Sequence, residues 1–247
     1  MGTPKKWFTC LIFVWLLIPL AQVGAKSEKR VELAVHKVDI SGDGQRDTIT
    51  LYGVPFGKNT KYFKEFVVTV KNTLGKTSKN IPGGFKPVIQ FMDLNSDKQT
   101  EIMMEIPNGG SGGAYEYFGY SYQNQKLEEI DLPKPLNING SFNNNYKATI
   151  MIPEMNESHT LDLRMKKKKY DKLGIYRNGK LNEPSETLIS EFTSLRTKDL
   201  DKDGEMELVG LQSVSGASTT DVIAKVQSIW TFKNKEFQLK RIMLIPS

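Results

Sequence analysis

The sequence predicts a mainly β protein of three or four repeated β-units, propeller-like, with one added α-helix near 186–196. The first observation behind this prediction is an Asp-rich loop that occurs three times, starting at Asp39, Asp93 and Asp199. The second is the apolar stretch after each loop, which is typical of a strand. The third is the spacing of 54 and then 106 residues between loop starts, because a period near 50 is typical of propellers and arrays of β-units.

The N-terminal segment has the features of a secretory signal peptide. Lys5 and Lys6 precede an apolar stretch, residues 8–20, and Val23-Gly24-Ala25 supplies small residues for cleavage. The apolar stretch is shorter than the roughly 20 residues that span a bilayer as a helix. We therefore expect residues 1–25 to be a signal peptide cleaved after Ala25. The protein is then secreted with no transmembrane anchor, and a place in the cell wall or on the spore surface is open to it.

The remaining 222 residues (247 − 25) contain no cysteine and carry a modest positive charge. The only cysteine, Cys10, lies in the predicted signal peptide, so disulfides are excluded from 26–247. Loss of Lys5 and Lys6 reduces the formal charge from +6 to +4, which suits an anionic surface and is too small to predict nucleic-acid binding. We expect one repeat-built β domain over 26–247, with possible halves at 26–132 and 141–247.

Each Asp-rich loop has the spacing of a calcium loop. Oxygen-bearing side chains stand at positions 1, 3, 5 and 9, and position 7 can add a backbone carbonyl, as hard oxygen-seeking Ca²⁺ requires. These candidate metal residues are Asp39, Ser41, Asp43, Gln45 and Asp47 in the first loop, Asp93, Asn95, Asp97 and Glu101 in the second, and Asp199, Asp201, Asp203, Glu205 and Glu207 in the third. The alternative is an Asp-rich turn whose side chains bind only their own backbone.

The loops differ in quality, and none is an EF-hand. Position 12, where an EF-hand has a bidentate glutamate, holds Thr50, Met104 or Gly210. Position 6 is glycine in the first and third loops, whereas Lys98 stands there in the second and adds a positive charge and a Cβ. We therefore expect one or two calcium sites, with the third loop the strongest candidate and the first loop next.

The loop followed by an apolar strand resembles the FG-GAP/VCBS-type repeat proteins, in particular small secreted forms from spore-forming Gram-positive bacteria. The resemblance covers the three loops and the strands after them. It implies extracellular β-propeller blades whose loop oxygens bind calcium. A degenerate fourth unit near 143–145 would complete the set.

Between the loops the pattern favours strands and hairpin turns. Turn signals occur at 72–75, 82–84, 123–125, 178–179 and 233–235. The exception follows Pro184-Ser185, where Leu188, Ile189, Phe192 and Leu195 have helical spacing. This pattern is the basis of the predicted helix.

Two motifs are typical of more specific functions, and each has an alternative explanation. Residues 109–113 fit the G-x-S-x-G pattern, with His159 and Asp131 as the required partners, but a glycine-rich hairpin turn explains these residues without a catalytic role and is the favoured interpretation. The basic run, residues 164–169, is either a solvated strand end or hairpin, or a patch for an anionic envelope polymer.

The sequence therefore predicts no catalytic residues. It predicts a non-catalytic, calcium-stabilised binding or structural protein of the cell envelope or spore surface. Its partner would be an anionic cell-wall polymer or another envelope protein. A secreted hydrolase acting on an envelope polymer is the alternative.

Overall fold

The computed structural model describes Gly2 and residues 29–247, except 59, 108, 110–112 and 114. Apart from Gly2, the predicted signal peptide lies outside the described residues, and so does Ser111 of the G-x-S-x-G motif. Within the described part of the chain, no helix has the length and apolar character needed to cross a membrane.

The chain is mainly β, as predicted, and its larger sheets are antiparallel and follow the order of the sequence. Sheet I consists of β1 (Val31–Val38), β2 (Asp47–Pro55), β3 (Tyr62–Asn72) and β4 (Gly75–Phe85). Sheet II consists of β5 (Val88–Met92), β6 (Glu101–Pro107), β7 (Tyr115–Gln123) and β8 (Lys126–Ile130). Sheet III consists of β9 (Asn139–Asn143), β10 (Lys147–Ile152) and β11 (Glu157–Asp162). A short helix, α1 (Lys167–Lys172), and a small hairpin of β12 (Tyr176–Arg177) and β13 (Lys180–Leu181) follow. Sheet IV consists of β14 (Leu188–Lys198), β15 (Glu207–Ser215), β16 (Val222–Lys233) and β17 (Glu236–Pro246).

Three buried hydrophobic clusters join the sheets in a row. The first joins sheets I and II through residues such as Phe66 and Ile102. The second joins sheets II and IV around Met103 and Leu195, and the third joins sheet III to sheet IV. The sheets therefore pack on one another as a stack, in the order I, II, IV, III. Among the described residues, a closed ring of blades is not seen.

An ion pair reinforces the contact between sheets II and IV. The guanidinium of Arg196 on β14 lies 2.7 Å from one carboxylate oxygen of Glu105 on β6 and 3.1 Å from the other. Glu105 is buried and also accepts a 3.0 Å hydrogen bond from Gln90 Nε2. This two-point contact fixes the relative position of the two sheets.

The predicted turns at 123–125, 178–179 and 233–235 are confirmed as tight hairpins. The two central residues of each have positive φ, for example 49° and 60° at Asn124 and Gln125, and 54° and 67° at Asn234 and Lys235. Such turns match the right-handed twist of the paired strands. The predicted turn at 82–84 is wrong, because these residues continue β4. Gly83 is needed there for close approach, since a Cβ would lie 2.2 Å from the carbonyl oxygen of Lys64.

The predicted helix near 186–196 is also wrong, because this segment forms β14. The strand has register shifts between Ile189 and Phe192 and again between Phe192 and Ser194. Each bulge adds a residue to the strand and breaks the alternation of inward and outward side chains. Apolar residues at 189, 192 and 195 therefore face the core from a bulged strand, although their spacing is that of a helix.

Candidate metal-binding loops

The three Asp-rich loops have the same backbone conformation. Each connects the first two strands of its sheet, and positions 4 and 6 have positive φ in all three. At position 6 the values are 82° for Gly44, 68° for Lys98 and 93° for Gly204. Lys98 therefore adopts the conformation that its glycine counterparts adopt, and the second loop keeps the shared shape.

The same hydrogen bonds hold each loop closed. The position 6 amide donates to the position 1 carboxylate, at 2.8 Å in the first loop, 3.0 Å in the second and 3.2 Å in the third. The position 7 amide donates to Oδ1 of the position 5 aspartate at 2.8 Å in every loop. The three loops therefore share these two hydrogen bonds at equivalent positions.

The position 9 acid anchors each loop to its sheet. Asp47, Glu101 and Glu207 are all buried at the start of a second strand. Each accepts a hydrogen bond from the position 2 amide, at 2.9, 2.6 and 2.9 Å respectively. A buried amide without a partner is costly, so this carboxylate has a structural role whether or not a metal is bound.

The second loop brings three carboxylates together, and no ion pair with a lysine or arginine is seen at this cluster within the described part of the chain. One oxygen from each of Asp93, Asp97 and Glu101 lies within 4.8 Å of the others. Burial, together with the nearby charges of Asp97 and Asp93, raises the pKa of Glu101 to about 7 despite the hydrogen bond from Leu94. The buried Oδ1 of Asp93 has no hydrogen-bond partner. These carboxylates suit a hard divalent cation. Such an ion would coordinate the free Oδ1 of Asp93 and reduce the repulsion between the three carboxylates.

The third loop has a similar cluster, but a lysine already occupies part of it. Oxygens of Asp199, Asp201 and Glu207 lie within 4.8 Å of one another, and the buried Oδ1 of Asp199 has no partner. Lys240 Nζ donates hydrogen bonds of 2.9 Å to Asp201 Oδ2 and Glu207 Oε1. The hydrogen bonds to Glu207 and then Asp201 raise the pKa of Lys240. This ammonium group supplies the positive charge that a metal would otherwise supply.

The outer part of the third loop stays at the surface. Asp203 and Glu205 are exposed, and neither belongs to the carboxylate cluster. Asp203 instead accepts from the amide of Glu205.

The first loop satisfies its own oxygens and does not form such a cluster. Asp39 Oδ1 accepts a hydrogen bond from the amide of Gly42 at 2.8 Å, whereas the equivalent oxygens of the other loops are free. Ser41 Oγ lies 3.3 Å from Asp47 Oδ1, and Asp43 binds the amide of Gln45. The structure therefore favours the second loop over the first, although its sequence departs further from the motif.

The loops lie side by side at one end of the sheet stack. The amide of Met206 in the third loop donates to Ser96 Oγ in the second at 3.3 Å. A Cβ on Gly42 in the first loop would lie 3.6 Å from the side-chain oxygen of Gln99 in the second. The order of the loops thus follows the packing order of sheets I, II and IV.

The role of Lys240 was not predicted from the sequence, because this residue is far from the third loop in the chain. β17 has a register shift at this point, since Ile229 pairs with Arg241 and Trp230 with Leu239. Lys240 is the additional residue of this bulge, and bulges often redirect a side chain. A bulge leaves no clear signal in one sequence.

Replacing Lys240 should therefore strengthen metal binding at the third loop. In Lys240→Met, Asp201 and Glu207 lose the ammonium group with which calcium must compete. We expect calcium to bind there on the order of tenfold more tightly, as measured by titration calorimetry. Arg241→Met, at the neighbouring exposed position, is the control and should leave the affinity unchanged. Equal affinities in the two variants would mean that Lys240 does not compete for the site.

The basic run forms helical turns instead of the predicted strand end or hairpin. Lys166 and Lys169 lie 2.8 and 2.7 Å from Oδ1 of the buried Asp221. Tyr170 Oη donates to the other oxygen of Asp221 at 2.7 Å. Burial alone would raise the pKa of Asp221, but these hydrogen bonds outweigh it and hold the pKa well below its usual range. Lys166 and Lys169, two residues of the predicted anion-binding patch, therefore form ion pairs within the protein.

The two residues that a catalytic triad with Ser111 would need belong to different sheets. His159 lies on β11, where its Nε2 is 3.3 Å from Glu157 Oε2. Asp131 follows β8 in sheet II. His159 therefore belongs to sheet III and contacts Glu157, whereas Asp131 lies at the end of sheet II.

Comparison with known proteins connects the chain to YybI. Residues 136–245 match the family described as the YybI C-terminal domain. In this chain the matched residues include sheets III and IV and the third loop. The uncharacterized protein YybI of Bacillus subtilis (strain 168) is 25% identical over 211 residues, covering 82% of this chain and 80% of that protein. No solved structure matches the chain. The match from residue 136 begins inside the predicted boundary between the halves, residues 132–140.

Proposed function

We propose that this protein is a non-catalytic binding or structural protein of the cell envelope or spore surface, exported by its signal peptide and stabilised by calcium. The observation that carries the calcium part is the free, buried Oδ1 of Asp93, which lies in a loop with two further carboxylates within 4.8 Å. Asp93, Asp97 and Glu101 would hold one ion, with Asn95 available as a neutral oxygen donor. The equivalent third-loop residues, Asp199, Asp201 and Glu207, would hold a second ion in competition with Lys240.

The shared loop geometry also supports a repeat origin for sheets I, II and IV. Each repeat would consist of a first strand, a calcium-type loop, a second strand and a hairpin, as in the FG-GAP/VCBS-type units that the sequence resembles. Sheet III, with a short turn at 144–146 between β9 and β10, would be the degenerate fourth unit. On this proposal, the ancestral unit was propeller-like.

The role proposed for calcium is to stabilise the end of the sheet stack at which the Asp-rich loops lie. An ion that binds the folded loop and not the unfolded chain stabilises the fold by RT ln(1 + [Ca²⁺]/Kd). For an extracellular loop with Kd near 10⁻⁴ to 10⁻³ M, low millimolar calcium would contribute on the order of 1–2 kcal/mol. Lys168 in the basic run and Lys172 just after it are exposed and available to an anionic envelope polymer.

Thermal unfolding tests the stabilising role. We expect the melting temperature in low millimolar calcium to exceed that in excess chelator by a few degrees. Magnesium at the same concentration should give a smaller shift, because it requires a stricter octahedral geometry. Identical melting temperatures in calcium and chelator would overturn the proposed role of calcium.

Cell fractionation tests the proposed location. The protein should be found with the envelope or spore surface, with an N-terminus at Lys26. It should be released more readily when Lys168 and Lys172 are replaced by glutamine or when the salt concentration is raised. A protein that keeps Met1 and remains with the cytoplasm would contradict this location.

A further inference from the structure

The end of sheet I opposite the Asp-rich loops carries an exposed group of aromatic side chains. We define the aromatic tip as Phe56, Tyr62 and Phe85, which are 65%, 41% and 37% exposed. Their rings contact one another edge to face, with centroids 6.1 Å apart for Phe56 and Tyr62 and 5.4 Å apart for Tyr62 and Phe85. Together they form a continuous apolar surface, and such patches on a soluble domain indicate an interaction site.

The same end of the sheet is strongly basic. The segments 29–31, 55–64 and 83–88 contain six lysine or arginine residues, and Glu32 and Glu65 are the acidic residues that directly follow the first two segments. Lys58 and Lys61 flank the hairpin that carries Phe56 and Tyr62, and Lys86 follows Phe85; all three are exposed. An exposed aromatic group beside several cations matches an interface between hydrocarbon and anionic headgroups, where aromatic rings partition and lysines meet phosphate.

The tip also has a defined orientation in the molecule. The β2–β3 hairpin that bears it is at the opposite end of sheet I from the β1–β2 loop with its aspartates. The chain enters the fold beside the tip, since Lys29 and Val31 line a cleft with Lys58 and Phe63. A surface that contacts the tip is therefore next to Lys29 and Val31, and the acidic loops lie at the opposite end of the sheet.

We propose that the aromatic tip binds the surface of a membrane that contains anionic lipids. Phe56 and Phe85 would enter the interfacial layer, Tyr62 would keep its hydroxyl at the headgroups, and Lys58, Lys61 and Lys86 would contact the phosphates. The apolar rings favour a lipid surface over a purely ionic polymer, because a polyanion offers nothing for exposed phenylalanine to enter.

Tryptophan fluorescence in the full-length chain tests this proposal. Phe56→Trp should show a blue-shifted emission, as a difference from the parent chain, when phosphatidylglycerol-containing vesicles are added. The matched control is Leu74→Trp, because Leu74 is 67% exposed in the β3–β4 turn at the other end of sheet I. Its emission should not change, and neither should that of Phe56→Trp with phosphatidylcholine vesicles.

A charge series distinguishes the tip from general attraction to the membrane. Lys58→Gln with Lys61→Gln, introduced into Phe56→Trp, should raise the lipid concentration for half-maximal shift on the order of tenfold. Lys71→Gln with Lys76→Gln, a lysine pair registered across β3 and β4 at the other end, should have little effect. An unshifted emission at position 56, or an equal shift at position 74, would overturn the proposal. So would equal loss of binding in the two lysine pairs.

Discussion

Asp221→Ala should lower the free energy of unfolding by about 3 kcal/mol, the largest effect that we expect from a single charged side chain. Asp221 is 3% exposed and accepts hydrogen bonds from Lys166, Lys169, Tyr170 and the amide of Ala217. Its removal leaves the buried hydroxyl of Tyr170 and the partly buried amide of Ala217 without this acceptor. The estimate is at the low end of the range for a broken buried pair, because water screens the partly exposed lysines. Urea unfolding measures the change.

Asp162→Ala is the control for this prediction. Asp162 also pairs with a cation of the basic run, Arg164, but both side chains are at least half exposed. Its replacement should have much less effect on the free energy of unfolding, because exposed ion pairs contribute little to stability. Similar losses for the two variants would mean that the Asp221 pair is no more important than a surface pair.

The stabilising effect of Asp221 should also depend on pH. The folded state holds the pKa of Asp221 below its usual value, so the ionised group contributes stability above about pH 4, where an unfolded aspartate is already charged. This contribution is lost as the pH falls below that value. The difference in unfolding free energy between the wild type and Asp221→Asn should therefore narrow between about pH 5 and pH 3. A difference that widens on acidification would contradict the assigned pKa direction.

Asp47→Ala should lower the free energy of unfolding by about 2–3 kcal/mol, with or without calcium. Asp47 is 2% exposed, and its Oδ2 accepts hydrogen bonds of 2.9 Å from the amides of Ile40 and Ser41. Both amides lose their acceptor in the variant, and that of Ile40 is buried. Urea unfolding in calcium and in excess chelator measures the effect.

Asp43→Ala is the matched control, since Asp43 belongs to the same loop and is exposed. It should cost well under 1 kcal/mol. If Asp47→Ala destabilises the protein only when calcium is present, the position 9 residue is a metal ligand and not a structural anchor.

Much of the fold could be predicted because local patterns determine it. The strands after the loops and the paired turns such as Asn234-Lys235 depend on alternation and on residues that tolerate positive φ. The helix predicted at 186–196 failed because two bulges in β14 give a strand the apolar spacing of a helix. The stacking order of the sheets could not be predicted, because it depends on contacts between residues as distant as Met103 and Leu195.

The three-carboxylate clusters could be predicted from the sequence, but the cations that neutralise or fail to neutralise them could not. The spacing of Asp93, Asp97 and Glu101 indicates a shared centre, and the structure brings these residues together. Lys98 suggested a damaged loop, but its backbone adopts the required φ of 68°. The lysine that does reach a cluster is Lys240, which a bulge directs toward Asp201 from a distant strand.

Calcium titration of the chelator-treated protein by calorimetry is the most direct test of the central claim, that the second loop binds this ion. The variants to compare are Asp97→Asn and Asp43→Asn. Each replaces the position 5 aspartate, and each aspartate accepts the same 2.8 Å hydrogen bond from the position 7 amide. Only Asp97 belongs to a three-carboxylate cluster. We predict that the wild type and Asp43→Asn bind calcium with Kd near 10⁻⁴ to 10⁻³ M and that Asp97→Asn loses this site. Calcium binding that is the same in all three proteins, or absent from the wild type at millimolar concentrations, would contradict the claim.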